Sequence, residues 1–439
     1  MKLPAYAQYC ISALEQAGFS AYAVGGCVRD ALLGLTPKDY DLCTNATPEE
    51  TKSVFKNCPL VLNGLKHGTV GVIFEKEVVE ITTFRREGGY ADSRHPDWVE
   101  FVGDIEEDLA RRDFTVNAMA YNPAVGYVDP FGGQADLENR VLRAVGDPRQ
   151  RFTEDALRIL RGVRFAVTYG LTPEENTLQA MNLLIPNMET LARERVFVEL
   201  CKLITKISAK ELLLYAPILS GVMPELADCV GFSQHSPHHA YDVYTHTAYV
   251  VEGVPEQLSL KWAALLHDIG KPAVFYRDEN GRGHFPDHAS VSAEKADALL
   301  FRLKAPTALR EQVVFLVSHH MTPLPPDRRI LRRRRSAYGK DNVQLLLALQ
   351  KADWGGKGVS EDAEFLETQK ILEEIYEEDG CLKLSDLAVS GKDLLALGYP
   401  ADRRLGVALN RLLGMVLDEK LPNSRDALLE QAERMKKSC

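Results

Sequence analysis

The sequence predicts an α+β protein, in which an N-terminal region of mixed sheet plus helices precedes an all-helical remainder. Two patterns support this fold class. Short apolar runs such as FSAYAVGG, DYDLCT and GTVGVIFEKEVVEITTFR alternate with turn residues over the first 145 residues, as strands do. From FTEDALRILRGVRFA onward, apolar residues recur at helical spacing. At about 150 residues per domain, 439 residues allow about three domains.

The predicted elements follow one another in this order. Residues 1–18 form an amphipathic helix with Gly18 as its C-cap, FSAYAVGG a buried strand, and VRDALLG a helix closed by Gly34. DYDLCT is a strand and GTVGVIFEKEVVEITTFR a hairpin. EEDLARRDFTVNAMAYNP is predicted to be largely helical, and YVDPFGG a strand and turn. The later helices include LARERVFVELCKLI, HHAYDVYTHTAYVVEGV and LKWAALLHDIGKP.

Composition excludes several classes of protein. With 62 acidic and 52 basic residues the net charge is −10, which excludes a basic protein that coats nucleic acid but allows a local basic patch. The eight cysteines form no CxxC pair, which argues against a zinc ribbon or a thioredoxin motif. The N-terminus lacks the apolar core of a signal peptide, and no apolar run reaches about 18 residues. We therefore expect a cytoplasmic protein without a membrane span; the oligomeric state is not indicated.

A phosphate site is predicted where the first strand meets a helix. Gly25 and Gly26 lack side chains, so backbone N–H groups there can approach an anion, and Arg29 lies one turn into the helix. Taken alone, two glycines are more commonly explained by a packing turn. Asp39 and Asp41 follow, at i and i+2 on a predicted strand, so that both carboxylates share one face. Hard oxygen ligands of this kind select Mg²⁺, although an isolated DxD is also typical of a solvated turn.

Five ordered motifs carry a resemblance to a known family: VGGCVRDALLG with KDYDL, RRDFTVNAMAYN, DPFGGQADL, EDALRILRGVRFA and LARERVFVEL. The chain resembles the class II CCA-adding enzymes, which are tRNA nucleotidyltransferases, and the related bacterial poly(A) polymerases. The motifs span roughly residues 20 to 205. The resemblance implies a polymerase-β-type nucleotidyltransferase head over residues 1–145 and a helical neck over 146–234 that binds RNA and selects the nucleotide.

The resemblance also implies residue roles. Asp39 and Asp41 are the expected catalytic carboxylates, holding two Mg²⁺ ions for nucleotidyl transfer. Glu80, on the neighbouring predicted strand, is a weaker candidate for a third carboxylate, and Asp113 and Asn117 are expected to brace their motif. The expected nucleotide-binding residues are Gly25, Gly26, Arg29, Arg112, Asp155, Arg158, Arg161 and Arg164.

Asp155 and Arg158 are predicted to read the base. We expect them at i and i+3 of one helix, where the plain alternative is a surface salt bridge. Cytosine and adenine each present an amino donor beside a ring-nitrogen acceptor, which a carboxylate and a guanidinium complement. Guanine and uracil present the inverse order, at a cost of about 1–3 kcal/mol per mismatch. Arg161 and Arg164 suit triphosphate or primer-phosphate contact better, and Glu194 and Arg195 are expected to buttress the neck.

Nine of the eleven histidines lie between His235 and His320, which points to a separate metal site. His246, His267, Asp268 and Asp353 resemble the ligand series of HD-domain phosphohydrolases, and His288 with His319 or His320 would serve a second metal. This predicts an HD-type helical domain over 235–360 with a divalent ion of open identity, followed by a C-terminal helical tail over 361–439. The basic run from Arg328 to Arg335 fits a solvated helix face or a phosphate contact equally well.

The expected function is template-independent addition of CCA to the 3′ end of tRNA. The expected partners are the tRNA acceptor arm and 3′ end, CTP and ATP. The glycine-bearing loop RREGGYADSRHPDWVEFV argues for ATP use, because members of the family that add only CC lack it. Three alternatives stay open: an A-adding tRNA nucleotidyltransferase, a poly(A) polymerase, and a metal phosphohydrolase of the HD type.

Overall fold

The computed structural model describes residues 1–74, 77–88, 98–236, 240–357, 363–378, 380 and 382–437. The chain divides into two compact units. The first comprises Met1–Ile207, Leu214–Ala227 and Arg302–Lys304; the second comprises Ser208–Leu213, Asp228–Phe301 and Ala305–Cys439. Among the described residues, the helices are all too short or too polar to cross a membrane.

A seven-stranded mixed sheet organises the first unit. The strands of this unit are β1 (Ala21–Val24), β2 (Leu42–Thr44), β3 (Leu60–Val61), β4 (Thr69–Phe74), β5 (Glu77–Thr83), β6 (Arg85–Gly88), β7 (Trp98–Phe101), β8 (Ala120–Asn122), β9 (Gly126–Val128), β10 (Val141–Leu142) and β11 (Thr172–Pro173). Strands β6 and β7 form a separate hairpin, and β10 and β11 form a further pair. The order in the large sheet is β3-β4-β5-β2-β1-β8-β9. Strands β2 and β5 pair in parallel, whereas β1 pairs antiparallel with both β2 and β8. The predicted mixed sheet is therefore confirmed.

Helices cover this sheet and continue into the neck. They are α1 (Ala5–Gln16), α2 (Gly26–Leu32), α3 (Pro48–Val54), α4 (Ile105–Ala110), α5 (Gly133–Glu138), α6 (Pro148–Glu154), α7 (Leu157–Tyr169), α8 (Glu175–Leu183) and α9 (Arg193–Ile204). A sheet-facing core of buried side chains contains Val24, Cys43, Phe84, Ile105, Leu109, Ala118, Ala120 and Val145.

Two predicted helical segments differ from the structure. EEDLARRDFTVNAMAYNP is helical only in α4 and in a short 3₁₀ turn at Thr115–Asn117, because its last residues form β8 and pair with β1. That pairing joins residues about a hundred positions apart, and it overrides the local helical preference. FTEDALRILRGVRFA is two helices rather than one, because Asp155 is extended, with φ −146° and ψ 102°, between α6 and α7.

Aromatic packing seats the neck helix α7 on the head. The Phe114 ring lies 6.2 Å from Phe152 and 5.8 Å from Phe165, measured between centroids. Gly162 of α7 allows this approach, because a Cβ there would lie 2.9 Å from the Phe114 ring. The neck arginines thereby lie beside the motif that contains Asp113.

The second unit is mainly helical. Helix α10 (Ala209–Leu214) begins it, and α11 (Ala216–Val222) returns to the first unit. Its remaining elements are α12 (Val243–Gly253), α13 (Leu258–Leu266), α14 (Lys271–Val274), β12 (Tyr276–Arg277), β13 (Gly283–His284), α15 (His288–Arg302), α16 (Thr307–His319), α17 (Arg328–Tyr338), α18 (Lys340–Gly355), α19 (Ala363–Glu377), α20 (Gly391–Ala396), α21 (Arg403–Leu417) and α22 (Arg425–Lys437). The last three helices share an apolar core that includes Leu394, Leu412 and Leu428.

The basic helix α17 is tied to acidic residues within this unit. Arg328 bonds to Glu419 at 2.9 Å, and Arg333 bonds to Asp418 at 2.6 Å. Arg332 shares Glu419, and Arg335 donates to the carbonyl of Ile375. These contacts favour the structural interpretation of the arginine run over phosphate contact.

Candidate active site and metal centre

Three carboxylates gather where β2 begins. Asp39 and Asp41 lie in the extended segment just before the strand, whose first residue is Leu42, so the predicted strand starts later than expected. Leu42 pairs with Ile81 of β5, which places Asp41 next to Glu80. Desolvation in the cleft raises the pKa of Asp41 to about 6, and the charges of Asp39 and Glu80 raise it as well. Both predicted catalytic residues are therefore together, and the weaker candidate Glu80 joins them.

This carboxylate cluster has the chemistry of a cation site. Like charges at this spacing oppose one another's ionisation unless a cation neutralises them. Burial is the main cause of the raised pKa of Asp41, and the charges of Asp39 and Glu80 add to it. An all-oxygen donor set fits Mg²⁺ by its chemistry. The three head carboxylates are neighbours and not a closed ligand set, since among the described residues only the groups around Asp268 bring three ligand atoms within 4.8 Å of one another.

Arg112 is the cation that faces the cluster, and its charge lowers the pKa of Asp41. Its guanidinium lies against Gly25, where a Cβ would stand 2.8 Å from Nη1. Gly25 also has φ +73°, which favours glycine, and a side chain there would displace the Arg112 guanidinium. Gly26 is not constrained in this way, because a Cβ there would make only an ordinary 3.6 Å contact with Arg29.

Arg112 keeps hydrogen-bonding capacity for an anion. Its Nη2 donates to Asp108 Oδ2 at 3.2 Å. Its Nε is buried and meets no hydrogen-bond acceptor among the described residues. A guanidinium with donors to spare beside a carboxylate cluster is suited to a triphosphate that brings its own metal.

Arg29, by contrast, lies buried and fully bonded. It is 6% exposed, donates to Asn117 Oδ1, to Asp30 and to the Tyr169 hydroxyl, and stacks 4.1 Å from the Tyr169 ring centroid. In this arrangement it joins α2 to the end of α7. Its predicted triphosphate contact stays a prediction.

Asp113 braces its motif as expected. It accepts from Asn117 at 3.1 Å and from Arg161 Nε at 2.8 Å. Burial alone would raise the pKa of Asp113, but the Arg161 charge and these hydrogen bonds hold it at about 2. Arg161 therefore links the neck to the head.

Arg164 is also paired inside the neck. Its Nε donates to the buried Glu199 of α9, and its guanidinium lies 4.1 Å from the Phe165 ring centroid. The predicted phosphate contacts of Arg161 and Arg164 stay predictions, and both residues have intramolecular partners.

Asp155 and Arg158 do not share a helix, so that part of the sequence interpretation is wrong. Asp155 ends α6, and its Oδ1 accepts from the Leu157 N–H at 3.0 Å. Its Oδ2 pairs with Arg195 at 2.7 Å. The helix breaks here because the carboxylate caps α7 instead of continuing α6.

Arg158 is held separately. It pairs with Glu154 at 2.8 Å and donates to the backbone carbonyls of Arg151 and Arg111, each at 3.1 Å. Each member of the predicted base-reading pair is thus fixed by other groups. Arg195, which was expected only to buttress the neck, contacts Asp155 directly; a separation of 40 positions hides that pairing in the sequence.

The predicted metal ligands of the second unit converge on Asp268. The groups His246, His267, Asp268 and Asp268, His288, His320 each bring their ligand atoms within 4.8 Å of one another. Asp353 Oδ1 lies 2.9 Å from His246 Nε2. His320 rather than His319 completes the set, since the His319 ring stacks on Phe315 with centroids 4.4 Å apart.

All four histidines are oriented alike. Each Nδ1 lies within hydrogen-bond distance of a backbone carbonyl, belonging to Gly356, Ala264, Phe285 and Val317 for His246, His267, His288 and His320 in turn. With Nδ1 as donor, the Nε2 of each neutral imidazole presents a lone pair toward the carboxylates. Burial alone would lower the pKa of His267, but Asp268 and Asp353 raise it, so this ring holds a proton more readily than those of His288 and His320 until a metal displaces it. Burial, together with the His267 charge, holds the pKa of His320 at about 4, so its lone pair is available at neutral pH.

A bound cation would explain why histidine Nε2 atoms and carboxylate oxygens face one another here. In the described residues Asp268 Oδ1 is buried without a hydrogen-bond partner, while Asp268 Oδ2 lies 3.1 Å from His267 Nε2 and 2.7 Å from Lys271 Nζ. Although burial alone would raise it, the charges of His267 and Lys271 hold the pKa of Asp268 well below its usual range. The donor set of imidazole and carboxylate fits a divalent transition metal.

A cavity of about 280 Å³ opens onto these residues. Besides Asp268, His288, His320 and Asp353, it is lined by the basic side chains of Lys271, Arg282 and Lys357. Lys271 Nζ lies 2.7 Å from Asp268, and Lys357 Nζ lies 3.2 Å from Asp353. A cation site with basic walls suits a phosphate ester.

Three family models match the chain. The Poly A polymerase head domain matches residues 21–143, the probable RNA and SrmB-binding site of polymerase A matches 170–229, and the HD domain matches 238–355. The last of these ranges contains all the ligand residues around Asp268.

Several similar proteins are named CCA-adding enzymes. The CCA-adding enzyme of Streptococcus mutans is 34% identical over 436 residues, covering 98% of this chain and 97% of that relative. That of Streptococcus suis is 50% identical over 205 residues, 46% of this chain and about half of that relative's length. The solved CCA-adding enzyme of Bacillus stearothermophilus in complex with CTP has a TM-score of 0.75 at 26% identity, covering 100% of both chains. The Thermotoga maritima CCA-adding enzyme complexed with tRNA, with a TM-score of 0.60 at 20% identity over 98% of this chain and 95% of that one, shares the fold.

The carboxylate cluster predicts a stability effect. In EDTA at pH 7.5, Asp41→Asn is expected to raise the melting temperature, because it removes a carboxylate whose ionisation Asp39 and Glu80 oppose. The folded pKa of about 6 exceeds the ordinary 3.8, so the destabilisation is full above pH 6 and absent well below pH 4, where Asp41 is protonated in both states. Calorimetry at pH 7.5 and at a pH well below 4 measures the difference in melting temperature between Asp41→Asn and the wild type.

Magnesium should reverse the order, raising the melting temperature of the wild type and not of the variant. The exposed Asp426→Asn is the control and should melt as the wild type does in every buffer. An Asp41→Asn protein that melts below the wild type in EDTA at pH 7.5 contradicts the interpretation.

Proposed function

The chain belongs to the family of CCA-adding enzymes, the tRNA nucleotidyltransferases, and we propose that it adds C, C and A to tRNA 3′ ends from CTP and ATP, releasing pyrophosphate. The resemblance seen in the five motifs is thereby confirmed, and family membership implies dependence on a divalent metal. One observation carries the proposal: the carboxylates Asp39, Asp41 and Glu80 lie opposite Arg112 at the Gly25 turn.

In this proposal Asp39 and Asp41 hold two Mg²⁺ ions, with Glu80 beside them. Bound there, the ions supply activation of the primer 3′-hydroxyl and neutralisation of the triphosphate. Arg112 binds the triphosphate through the guanidinium donors that Asp108 leaves available. Gly25 keeps the space between backbone and guanidinium open. The remaining work of the chain is to align nucleotide and primer.

The choice of C or A falls to Asp155 and Arg158. The carboxylate accepts the amino hydrogen of cytosine or adenine, and the guanidinium donates to the ring nitrogen. Arg195 holds the first and Glu154 the second, so both are oriented before the base arrives. Guanine and uracil would set acceptor against carboxylate and donor against guanidinium.

The proposed RNA partner is the acceptor arm and 3′ end of tRNA, bound in the cytoplasm. The neck region that matches an RNA-binding model and the solved relative complexed with tRNA support this choice. Two related activities stay as alternatives, A addition alone and poly(A) synthesis. The loop expected to bear on this choice includes residues 89–97, which lie outside the described residues.

A single assay separates these activities. Purified protein with Mg²⁺ is given tRNAs ending before CCA, after C and after CC, with each nucleotide separately and together, and product lengths are read. We expect complete CCA on the first tRNA from CTP and ATP. Addition to the CC-ended tRNA alone would replace the proposal with A addition, and long A tails on unrelated RNA with poly(A) synthesis.

Asp39→Ala and Asp41→Ala are the internal controls of that assay. Each should abolish addition of C and A while tRNA affinity stays within about 3-fold, because the carboxylates hold metal rather than RNA. Turnover retained in both variants at saturating Mg²⁺ would refute their catalytic role.

Base selection gives the next prediction. Asp155→Ala combined with Arg158→Ala should raise UTP and GTP incorporation relative to CTP and ATP by about 10-fold or more, since the mismatch penalty is lost. The measurement is kcat/KM for each nucleotide on the same tRNA. Arg161→Lys, which disturbs the ion pair with Asp113, serves as a control that lowers rate without changing the ratio. An unchanged ratio in the double variant would make the pair structural.

The second unit supports a second candidate activity, metal-dependent phosphohydrolysis. The supporting observation is the set of four Nε2 lone pairs around Asp268, opening to a cavity with basic walls. His246, His267, Asp268 and Asp353 would hold one divalent ion, and His288 and His320 would share Asp268 with another. Such ions supply an activated water when bound, and Lys271, Arg282 and Lys357 would bind the phosphate of a monoester or a 2′,3′-cyclic diester.

The two activities should separate by mutation. His267→Ala combined with Asp268→Ala should remove Mn²⁺ binding, measured by calorimetry, together with any phosphatase activity, while nucleotide addition survives. His319→Ala, a neighbouring histidine outside the cluster, is the matched control and should keep both. Melting is compared first, since metal loss can loosen the fold. A well-folded double variant that loses CCA addition as fully as Asp39→Ala would contradict the division into two sites.

A further inference from the structure

Asp108 is a buried carboxylate to which the proposed chemistry assigns no role. It is 1% exposed, in the last turn of α4, on the head side of the cleft. Its Oδ1 accepts from Arg111 at 2.8 and 3.0 Å and from the Arg85 N–H at 3.3 Å, while its Oδ2 accepts from Arg112 Nη2 at 3.2 Å. One carboxylate thus holds two consecutive guanidinium groups.

The two arginines differ in what else holds them. Arg111 has a second acidic partner, because its Nη1 lies 3.1 Å from Glu87 of β6. Arg112 Nη2 bonds to Asp108, its Nη1 lies over Gly25, and its Nε meets no acceptor among the described residues. Asp108 therefore decides where the Arg112 guanidinium points.

We propose that Asp108 is a positioning residue for nucleotidyl transfer, holding Arg112 over Gly25 so that its remaining donors face the triphosphate. The proposal rests on the function argued above. Without the carboxylate, the Arg112 side chain, which is 21% exposed, is free to swing toward solvent or toward Asp39 and Asp41. Arg111 would lose two hydrogen bonds to Asp108 but keep Glu87, whereas Arg112 would lose the carboxylate that holds it.

This role differs from general support of the site. Arg158, the guanidinium assigned to base reading, is anchored by Glu154 and by the Arg151 carbonyl, besides the carbonyl of Arg111. Loss of Asp108 should therefore weaken triphosphate binding and leave the choice of base unchanged. A residue that merely supported the fold would disturb both together.

The test compares Asp108→Asn with Glu107→Gln in the full chain. Glu107 is the preceding residue of α4 and pairs at 3.3 Å with Arg86 of β6, but it belongs to no site described above. Binding of inorganic tripolyphosphate with Mg²⁺ is measured by calorimetry, and KM and kcat are measured for CTP and ATP. We expect Asp108→Asn to weaken tripolyphosphate binding about 10-fold and to raise both KM values alike, as loss of a charge-assisted contact does. The ratio of CTP and ATP to UTP and GTP should not move, and Glu107→Gln should match the wild type.

A double-mutant cycle isolates the pair. In an Arg112→Ala background, Asp108→Asn should add less than about 2-fold to the loss, because its effect passes through Arg112. Equal losses in both backgrounds, wild-type tripolyphosphate affinity in Asp108→Asn, or a changed base ratio would each overturn the proposal.

If Asp108→Asn does not fold, Asp108→Glu takes its place, since it keeps the charge and moves the carboxylate by one methylene. It should weaken tripolyphosphate binding in the same direction, and wild-type affinity there would overturn the proposal.

The tripolyphosphate measurement also separates this inference from the proposed function. A wild-type chain that adds no nucleotide refutes the function, while tripolyphosphate binding still judges Asp108.

Discussion

Unneutralised negative charge at the start of β2 is the constraint on which the head depends. The parallel pairing of β2 with β5 sets Asp41 beside Glu80, and Asp39 adds a third carboxylate. Partial burial and like charge both oppose the ionisation of Asp41, and since Asp39 and Asp41 are also exposed to solvent, a nearby cation stabilises the charged cluster without being required for it. The fold provides one fixed cation, Arg112, through the left-handed turn at Gly25. The metal ions that accompany a triphosphate would supply the positive charge that is still lacking.

The arginines around this cleft are divided by their partners. Arg29 and Arg161 join the head to α7 through Tyr169 and Asp113, whereas Arg164 joins α7 to α9 through Glu199. Because a buried guanidinium left unpaired is costly, the first two contacts fix the neck against the head. Arg112 differs in retaining donors, which marks it as the guanidinium available to a ligand. The paired arginines thus lie around Arg112, which keeps donors for a ligand.

The second unit meets the same constraint with other ligands. Four histidines turn their Nδ1 to backbone carbonyls and their Nε2 toward Asp268. Lone pairs and carboxylate oxygens gathered in a buried place are stabilised by a cation just as the head carboxylates are. The softer imidazole donors, however, suit a transition metal rather than Mg²⁺. Each unit therefore carries its own ligand set, and the chemistry of each can be tested by itself.

The sequence alone determined the mixed sheet, the helical remainder, the two aspartates at β2 and the histidine cluster, because each is expressed in local spacing. It also carried the five motifs that identify the family. Periodicity predicted an element well where its own apolar residues line one face, as in α1 and in the pair β4 and β5. It was wrong at β8, whose strand exists only through pairing with β1.

Only the tertiary structure decided how charged groups are paired. It broke the helix at Asp155 and gave that residue to Arg195, chose His320 over His319, brought Glu80 to the aspartates, and bound Arg112 to the buried Asp108. Partners such as Arg29 and Tyr169 stand 140 positions apart, and no spacing rule connects them. Ion pairs form wherever the folded backbone brings opposite charges within a few ångströms, so their identity depends on packing rather than on neighbouring sequence.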